Sequence, residues 1–281
     1  MADFPLNYFD PERQSAQIQN YFLPVPTSRS LIRRVSERLG RMIYARHSRH
    51  IQATSEARVR HDFPKIARVQ DLARENGGLA GKYQFIRLLE IFKLLNLFKP
   101  NNALELGSGT SSSVFADYFK DAKRFTTVEE SPYWYDRMLS ASKEYIQDMT
   151  PLLAARRVIR LGKHWACHYE IDHSIKYDFI YVDGPSNIAP DGNHGPDGKT
   201  PHIPCVDVEL LWKNEVYPRF IVIDGRRATL AHLITNSNNR YRSYLRTDYS
   251  LPAWPWQAFA FQYHTILIRH DIDLRNLHAS E

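Results

Sequence analysis

The chain has 281 residues, which is enough for one large domain or for one domain with an elaborated terminus. Its hydrophobic fraction of 43% and aromatic fraction of 12% are those of a globular protein and exclude wholesale disorder. Uninterrupted apolar runs stay shorter than the roughly 18 residues that a bilayer span needs, and two cysteines exclude a disulfide framework. The N-terminal residues lack the basic-then-apolar layout of a signal peptide, so the sequence predicts a cytoplasmic protein.

The positive charge is concentrated in one segment near the N-terminus. The whole chain carries +6, whereas residues 29–68 hold 11 Lys and Arg against 3 Asp and Glu, so that segment carries +8 and the rest carries −2. Apolar residues spaced by three and four predict a helix with one apolar face here: Leu31, Val35, Leu39 and Met42. We interpret this basic helix as packing on the main domain. Peripheral contact with an anionic membrane, or with nucleic acid, is the alternative.

The sequence divides into an extension and a domain. Residues 1–80 are predicted to form a basic N-terminal extension, with an irregular, proline-containing lead-in over 1–28 followed by the helical part. Residues 81–281 are predicted to form the main domain, which begins with a largely apolar helix at 82–98.

Strands and helices alternate along the main domain. Strands are predicted at 103–106, 124–128, 157–161, 177–182 and 219–223. Helices are predicted at about 112–120, 133–148, 206–214 and 227–236. Two final strands, at 241–247 and 259–269, are joined by a loop. This order predicts an α/β fold with a doubly wound, mostly parallel seven-stranded sheet and a terminal antiparallel hairpin.

A glycine-containing turn follows the first predicted strand, in ALELGSGTSSS. Gly107 and Gly109 remove Cβ atoms where strand turns into helix, so a ligand can approach the backbone and the free N–H groups of the helix that starts near Ser111. Glu129 ends the next strand, 20 residues after Gly109, and a carboxylate there can accept both hydroxyls of a ribose. Strand alternation predicts that the adjacent Glu130 points the other way.

These residues resemble the class I (Rossmann-like) S-adenosylmethionine-dependent methyltransferases. The first motif of that family is similar to residues 105–111, its ribose-binding acid corresponds to Glu129, and its fourth-strand motif is similar to residues 177–185. The resemblance implies S-adenosyl-L-methionine as the cofactor. It implies a cofactor site made of Glu105, Gly107, Ser108, Gly109, Thr110, Ser111, Glu129 and Asp183, with His164 as a candidate for the adenine contact.

A narrower similarity concerns the catechol O-methyltransferase-like branch, whose layout resembles GKYQFIRLLEIF followed by ELGSGTSSS. That branch holds a divalent cation with carboxylates after its fourth and fifth strands, which correspond here to Asp183 and Asp224. Gly225 stands where the branch usually has an asparagine, and Arg226 and Arg227 follow with positive charge. We therefore predict no metal ligands, with a divalent metal as the less favoured alternative.

The candidate catalytic residues are Asp183, Asp224 and His194. His194 lies in a Gly- and Pro-rich insertion, residues 186–205, that is expected to cover the acceptor site above the carboxyl ends of the strands. A zinc site made of His194, His202 and Cys205 has suitable residue types but lacks the tight repeated spacing of such sites.

The hypothesis that we favour is O-methylation of a small-molecule or glycan acceptor, because no Asn/Asp-Pro-Pro-Tyr-type motif follows the fourth strand. Two alternatives stay open: a nucleic-acid-associated protein or methyltransferase that uses the basic segment, and a cofactor-binding scaffold without catalysis. A nicotinamide dinucleotide site is disfavoured because Ser112 stands where the G-x-G-x-x-G spacing requires its third glycine.

Overall fold

A computed structural model of the chain describes residues 22–24, 56–57, 60–61, 64–75, 84–120, 124–162, 164–189, 202–246, 264–274 and 277. The predicted basic helix after Ser30 and the predicted catalytic residue His194 lie outside the described residues.

A single large sheet forms the centre of the molecule. In chain order, the strands are β1 (Phe22–Pro24), β2 (Asn102–Leu106), β3 (Arg124–Glu129), β4 (Thr150–Leu153), β5 (Arg156–Leu161), β6 (His164–Tyr169), β7 (Phe179–Val182), β8 (Phe220–Asp224), β9 (Tyr241–Arg246) and β10 (His264–Arg269). Eight of them are ordered β1-β9-β10-β8-β7-β2-β3-β4, and β5 and β6 form a separate two-stranded sheet.

The pairing directions confirm the predicted fold class. From β4 through β3, β2 and β7 to β8, every neighbouring pair is parallel. Strand β10 is antiparallel to both β8 and β9, which gives the expected antiparallel end of the sheet. The protein is thus an α/β fold built on a mostly parallel sheet.

Helices cover both faces of this sheet. They are α1 (Pro64–Glu75), α2 (Gln84–Phe98), α3 (Thr110–Phe119), α4 (Pro132–Ala141), α5 (Asp207–Lys213) and α6 (Arg227–Asn236), with a 3₁₀ helix at Lys143–Asp148. Helix α1 packs against α2, α3 and α4. Within the described ranges, no helix is long and apolar enough to span a membrane.

Alternation along the strands supplies two apolar cores. On one face, an aromatic cluster joins α2 and α3 to the sheet, and Phe98 stacks on Phe220 with ring centroids 3.8 Å apart. On the other face, Leu104 and Leu106 pack with residues of α5 and α6. Strands β7 and β8 are buried along their whole length, as expected of a parallel sheet covered on both sides.

One strand prediction was wrong. Residues 157–161 were expected to continue the parallel sheet, but β4 takes that place beside β3, and β5 pairs antiparallel with β6 instead. The physical reason is the turn that joins β5 and β6, where Gly162 adopts a φ of +61° and permits a tight hairpin. Pro151 is accommodated in β4 because this strand lies at the sheet edge.

The lead-in over 1–28 was also incompletely predicted. Within it, β1 pairs antiparallel with β9, so the part of the sheet that the described residues form has eight strands rather than seven. Helix α1 lies in the predicted extension, and its packing on α2, α3 and α4 makes it part of the same body as the main domain.

Candidate functional site

The strand order of the sheet reverses at β2, and a cavity lies at this reversal. Strand β3 follows β2 on one side, and the chain then returns to place β7 on the other side. Ligands of open α/β sheets bind outside the carboxyl ends of the strands at such a reversal. The cavity measures about 420 Å³, a size suited to a small ligand, and is lined by the glycine turn, the residues after β3 and β7, and side chains of α2 and α4.

The two glycines of the turn serve different purposes. Gly107 has a φ of +90°, and a Cβ atom on it would lie 2.6 Å from the Cα atom of Gly184. The fold itself therefore requires glycine at 107. Gly109 has an extended backbone, and a Cβ atom there would meet nothing within 4 Å. Because Gly109 lines the cavity, its missing side chain leaves open space at the ligand side of the turn.

Glu105 anchors the turn from behind. Its carboxylate is fully buried and accepts hydrogen bonds from the hydroxyls of Ser111 at 2.5 Å, Ser112 at 2.6 Å and Thr127 at 2.7 Å. Burial raises the pKa of Glu105 to about 7, and the hydroxyl donors oppose that rise. The structure thus places Glu105 as a support of the turn and of the start of α3, whereas Ser108, Gly109, Thr110 and Ser111 line the cavity.

Glu129 presents one carboxylate oxygen to the cavity. Its Oε1 atom accepts the backbone N–H groups of Glu130 at 2.9 Å and Ser131 at 3.0 Å, which fixes the side chain. Its Oε2 atom lies 3.4 Å from the Ser108 hydroxyl. Glu129 is 7% exposed, and burial raises its pKa.

Glu130 also lines the cavity, so the prediction that it points away was wrong. It follows the last residue of β3, where strand alternation no longer applies, and its Oε1 atom accepts the N–H of Ser186 at 2.8 Å. Glu130 therefore ties the end of β3 to the chain that follows β7.

Asp183 and Asp224 converge on Arg87 of helix α2. The Nη2 atom of Arg87 pairs with Asp224 and also lies 3.5 Å from Oδ2 of Asp183. Asp224 is 8% exposed, whereas 42% of the Asp183 side chain is exposed, and Asp183 faces the cavity. Desolvation within the cleft raises the pKa of Asp183, and the charges of Arg87 and then Arg226 oppose that rise.

From the sequence, the positive charge beside Asp183 and Asp224 was expected to come from Arg226 and Arg227. The contribution of Arg87 was not predicted. Arg226 lies on the cavity wall, with Nε 3.9 Å from Asp183, and donates to the carbonyl of Pro185 at 2.5 Å. Arg227 is exposed at the start of α6. Helix α2 supplies the cation that pairs with both carboxylates because its last residue, Phe98, packs on Phe220 at the start of β8, while Arg87, about three turns earlier, reaches the carboxyl ends of β7 and β8.

Behind Asp224 lies a buried chain of polar groups. The Tyr181 hydroxyl donates to Asp224 at 2.9 Å and lies 3.0 Å from His264 Nε2. His264 Nδ1 lies 2.6 Å from Glu90 Oε2. Glu90, Tyr181 and His264 are each no more than 2% exposed, and the hydrogen bond from the buried Tyr181 hydroxyl holds Asp224 in place.

Two candidate histidines lie away from the cavity. His164 is exposed at the start of β6 and does not reach the cavity, because β5 and β6 form their own hairpin. His202 is exposed, and Cys205 is fully buried with its thiol donating to Asp207 at 3.1 Å.

The cavity has wall residues that the sequence analysis did not identify. Trp134, Arg137 and Met138 of α4 contribute one wall, and Tyr169 and Tyr181 contribute to the floor. The Arg137 guanidinium lies 5.4 Å from the centroid of the Trp134 ring. The spacing of Trp134, Arg137 and Met138 by three and four residues was the available signal for a shared helix face.

Comparisons with known proteins give structural likeness only. No family model matches the chain, and no curated protein matches its sequence. A Klebsiella pneumoniae protein assigned as an O-methyltransferase is 13% identical, with a TM-score of 0.48, over 77% of this chain and 96% of that chain. The O-methyltransferase from Bacillus cereus, in complex with SAH, is 13% identical, with a TM-score of 0.46, over 76% of this chain and 96% of that one.

A third solved structure is the O-methyltransferase TomG from Streptomyces achromogenes, involved in tomaymycin synthesis and crystallised with SAM. It is 15% identical, with a TM-score of 0.38, over 73% of this chain and 88% of that chain. Similarities at this level of identity and superposition do not by themselves assign a function to this chain.

Proposed function

We propose that this chain is an S-adenosylmethionine-dependent methyltransferase that methylates an oxygen of a small-molecule or glycan acceptor. The observation that carries the proposal is the cavity at the strand reversal, which brings the glycine turn and the Glu129 carboxylate together. The sequence predicts that residues 105–111 and Glu129 contribute to one site. Residues of both line the cavity at one edge of the sheet.

The residues present fit the proposed cofactor. The open position at Gly109 lets a ligand approach the backbone where α3 begins, and Glu129 Oε2 is available to accept ribose hydroxyls while Oε1 is held by two amides. Ser108, Thr110 and Ser111 add polar groups to the same wall. Glu105 does not contact the ligand in this proposal but holds the turn that does.

The bound cofactor would supply a methyl group that already carries a good leaving group. What the protein must then contribute is chiefly alignment of the acceptor with that methyl, together with exclusion of water. Helices α2 and α4 both contribute to the walls of the cavity, and Leu88, Ile91 and Met138 make parts of these walls apolar.

Asp183 is the group best placed to handle the acceptor proton. It lies on the cavity wall beside Gly184, its carboxylate faces the cleft, and its raised pKa favours proton uptake from a hydroxyl. Asp224 is held by Arg87 and Tyr181 behind that surface and acts as a positioning residue. His194 stays a prediction, since it lies outside the described residues.

The basic segment is assigned a packing role in this proposal. Lys65 pairs with Asp117 of α3 at 2.7 Å, and Arg68 pairs with Glu144 at 3.2 Å. These ion pairs accompany the burial of Ala67 and Val69 in the apolar core shared with α2 and α3, which favours the packing interpretation over nucleic-acid binding for this part of the segment.

The proposal is tested by calorimetric titration of the purified chain with S-adenosylhomocysteine and, in parallel, with NAD⁺. We expect saturable one-to-one binding of S-adenosylhomocysteine and no heat of binding with NAD⁺. Binding of NAD⁺ alone, or of neither ligand at millimolar concentration, would contradict the proposal. Once binding is established, transfer of a labelled methyl group to hydroxylated aromatic compounds and to sugars identifies the acceptor class.

A further inference from the structure

We propose that His168, His173 and Asp207 form a binding site for one divalent transition-metal ion, separate from the cavity at the strand reversal. Among the described residues, one potential ligand atom from each of these three side chains lies within 4.8 Å of the other two. No part of the proposed methyltransfer reaction uses them.

Three pieces of local structure, the third of them distant in sequence, bring the ligands together. His168 lies near the end of β6, His173 lies in the turn that follows, and Asp207 is the first residue of α5. The backbone N–H of Tyr169 donates to both Asp207 oxygens, at 3.0 and 3.2 Å, which joins the end of β6 to the start of α5. The cluster is therefore held by a rigid backbone contact between two elements.

The Asp207 carboxylate is the fixed centre of the cluster. It is fully buried, and His173 Nε2 lies 2.9 Å from its Oδ1 atom, while the Cys205 thiol donates to Oδ2 at 3.1 Å. Because a buried carboxylate is costly unless it is compensated, a site with two imidazoles beside it is well suited to a cation.

The imidazole of His168 is oriented as a metal ligand usually is. Its Nδ1 atom lies 2.8 Å from the carbonyl oxygen of Tyr169, and a hydrogen bond donated there leaves the Nε2 lone pair available. Metal-bound histidines generally donate their other ring N–H to a carbonyl or carboxylate in this way. The rings of His168 and His173 meet edge to face, with centroids 6.0 Å apart, so the two imidazoles are direct neighbours.

The ligand set favours a particular class of metal. Two imidazole nitrogens and one carboxylate oxygen suit zinc and other first-row transition ions, whereas magnesium and calcium prefer oxygen ligands. Atoms that share a tetrahedral zinc lie about 3.3 Å apart, given bonds of about 2.0–2.1 Å. His173 and Asp207 are already near that separation, so the half-buried His168 side chain has the largest distance to move.

Metal binding here would fasten two parts of the chain that approach the cavity. Tyr169 follows the ligand His168 directly, and its backbone N–H donates to Asp207. The same residue lines that cavity. Asp207 follows directly on residues 202–206, at the far end of the insertion. The ion would thus link β6 to α5.

The test is zinc binding to the metal-stripped full chain, measured by a chromophoric chelator competition and by elemental analysis after desalting. We expect one zinc ion per chain, a higher thermal midpoint with zinc, and no such effect from magnesium. Removing a single outer-sphere partner of a metal ligand typically costs ten- to a hundred-fold in affinity. Loss of the ligand itself in His168→Ala should therefore weaken binding by about a hundred-fold or more.

His164→Ala is the matched control, because His164 is exposed on the same strand and is not part of the cluster. Its zinc affinity should equal that of the wild type. His168→Ala is preferred over Asp207→Asn because, among the described residues, the His168 ring hydrogen-bonds only to the neighbouring carbonyl. The variant should therefore fold, which circular dichroism checks. Absence of saturable zinc binding in the wild type, or equal binding by His168→Ala, would overturn the proposal. Neither result depends on whether S-adenosylhomocysteine binds.

Discussion

Gly107 and Gly184 pack backbone against backbone, and this contact joins the glycine turn to the end of β7. Neither position has room for a Cβ atom. The N–H of Gly107 donates to the carbonyl of Val128 at 2.9 Å, and the N–H of Asp183 donates to the carbonyl of Leu106 at 2.8 Å. These backbone contacts therefore join the turn, β3 and β7 into one rigid unit, and Glu129 and Asp183 both belong to it.

This arrangement predicts that one glycine substitution lowers stability and that another lowers ligand affinity instead. Gly107→Ala introduces a Cβ atom into the Gly184 backbone at a positive φ, and should lower the free energy of unfolding by about 3 kcal/mol or more. Gly109→Ala should leave stability within about 1 kcal/mol, because its Cβ atom meets no protein atom. Its affinity for S-adenosylhomocysteine should nevertheless fall about ten-fold or more, equal to about 1.4 kcal/mol. Urea unfolding and calorimetry separate the two effects, and full affinity in Gly109→Ala would argue against a ligand at this turn.

The two adjacent glutamates provide a second, matched pair of variants. Glu129→Gln keeps an oxygen for the amides of Glu130 and Ser131 but replaces the oxygen that faces the cavity with an NH₂ group. Unpaired ribose hydroxyls would then cost roughly 1.5–3 kcal/mol, so calorimetry should show a ten- to hundred-fold weaker affinity for S-adenosylhomocysteine. Glu130→Gln keeps an acceptor for Ser186 and should bind within about three-fold of the wild type. A reversed order of the two variants would assign the ribose contact to Glu130.

The parts of the site that sequence could predict are those that depend on short-range patterns. Gly107, Gly109 and Glu129 lie within one strand-turn-helix-strand unit, so their spacing alone brings them to one edge of a parallel sheet. Strand β4 was missed because Pro151 lowers its strand propensity and because an edge strand needs no continuous apolar run. The β5–β6 hairpin did have a local signal, since Gly162 stands between two apolar-containing runs.

Contacts between distant parts of the chain could not be predicted in the same way. Arg87 reaches Asp183 and Asp224 through the packing of α2 on the sheet, where Phe98 stacks on Phe220, and no local pattern specifies that packing. A charged residue inside an otherwise apolar helix was the available hint. His168, His173 and Asp207 likewise have irregular spacing in sequence and meet only through the packing of α5 on β6.

The buried Glu105 carboxyl predicts a pH effect on stability. Its pKa is raised by burial from about 4.5 when unfolded to about 7 in the folded protein, so the folded state binds the proton more tightly. The contribution of this group to stability is therefore complete below pH 4.5 and is lost as the pH rises through about 7. The shift corresponds to about 3 kcal/mol at roughly 1.4 kcal/mol per pH unit. Denaturant unfolding at pH 5 and pH 8 should show that Glu105→Gln loses less stability between these values than the wild type. Equal losses would mean that Glu105 ionises normally.

A further prediction concerns the division of roles between Asp183 and Asp224. Asp183 faces the cleft with 42% of its side chain exposed, so Asp183→Asn should leave the thermal midpoint nearly unchanged. Removing a general base typically costs 10²- to 10⁴-fold, so turnover with an identified acceptor should fall by about a hundred-fold or more. Asp224 is buried against Arg87 and accepts from Tyr181. Asp224→Asn should therefore lower the free energy of unfolding by about 3 kcal/mol, since a partly buried guanidinium loses the nearer of its two counter-charges.

The same cluster predicts that the acceptor site works without a magnesium-type cation. The Arg87 guanidinium already lies between the two carboxylates, where a divalent ion shared by them would have to bind, and like charges at close range repel. Adding Mg²⁺ or Mn²⁺ to the metal-stripped enzyme should then leave turnover unchanged, and Arg87→Gln should lower stability because it leaves Asp224 without its counter-ion. If turnover is instead lost on chelation and restored by Mg²⁺ or Mn²⁺, Arg87 must leave the carboxylates during catalysis, and Asp183 and Asp224 are metal ligands.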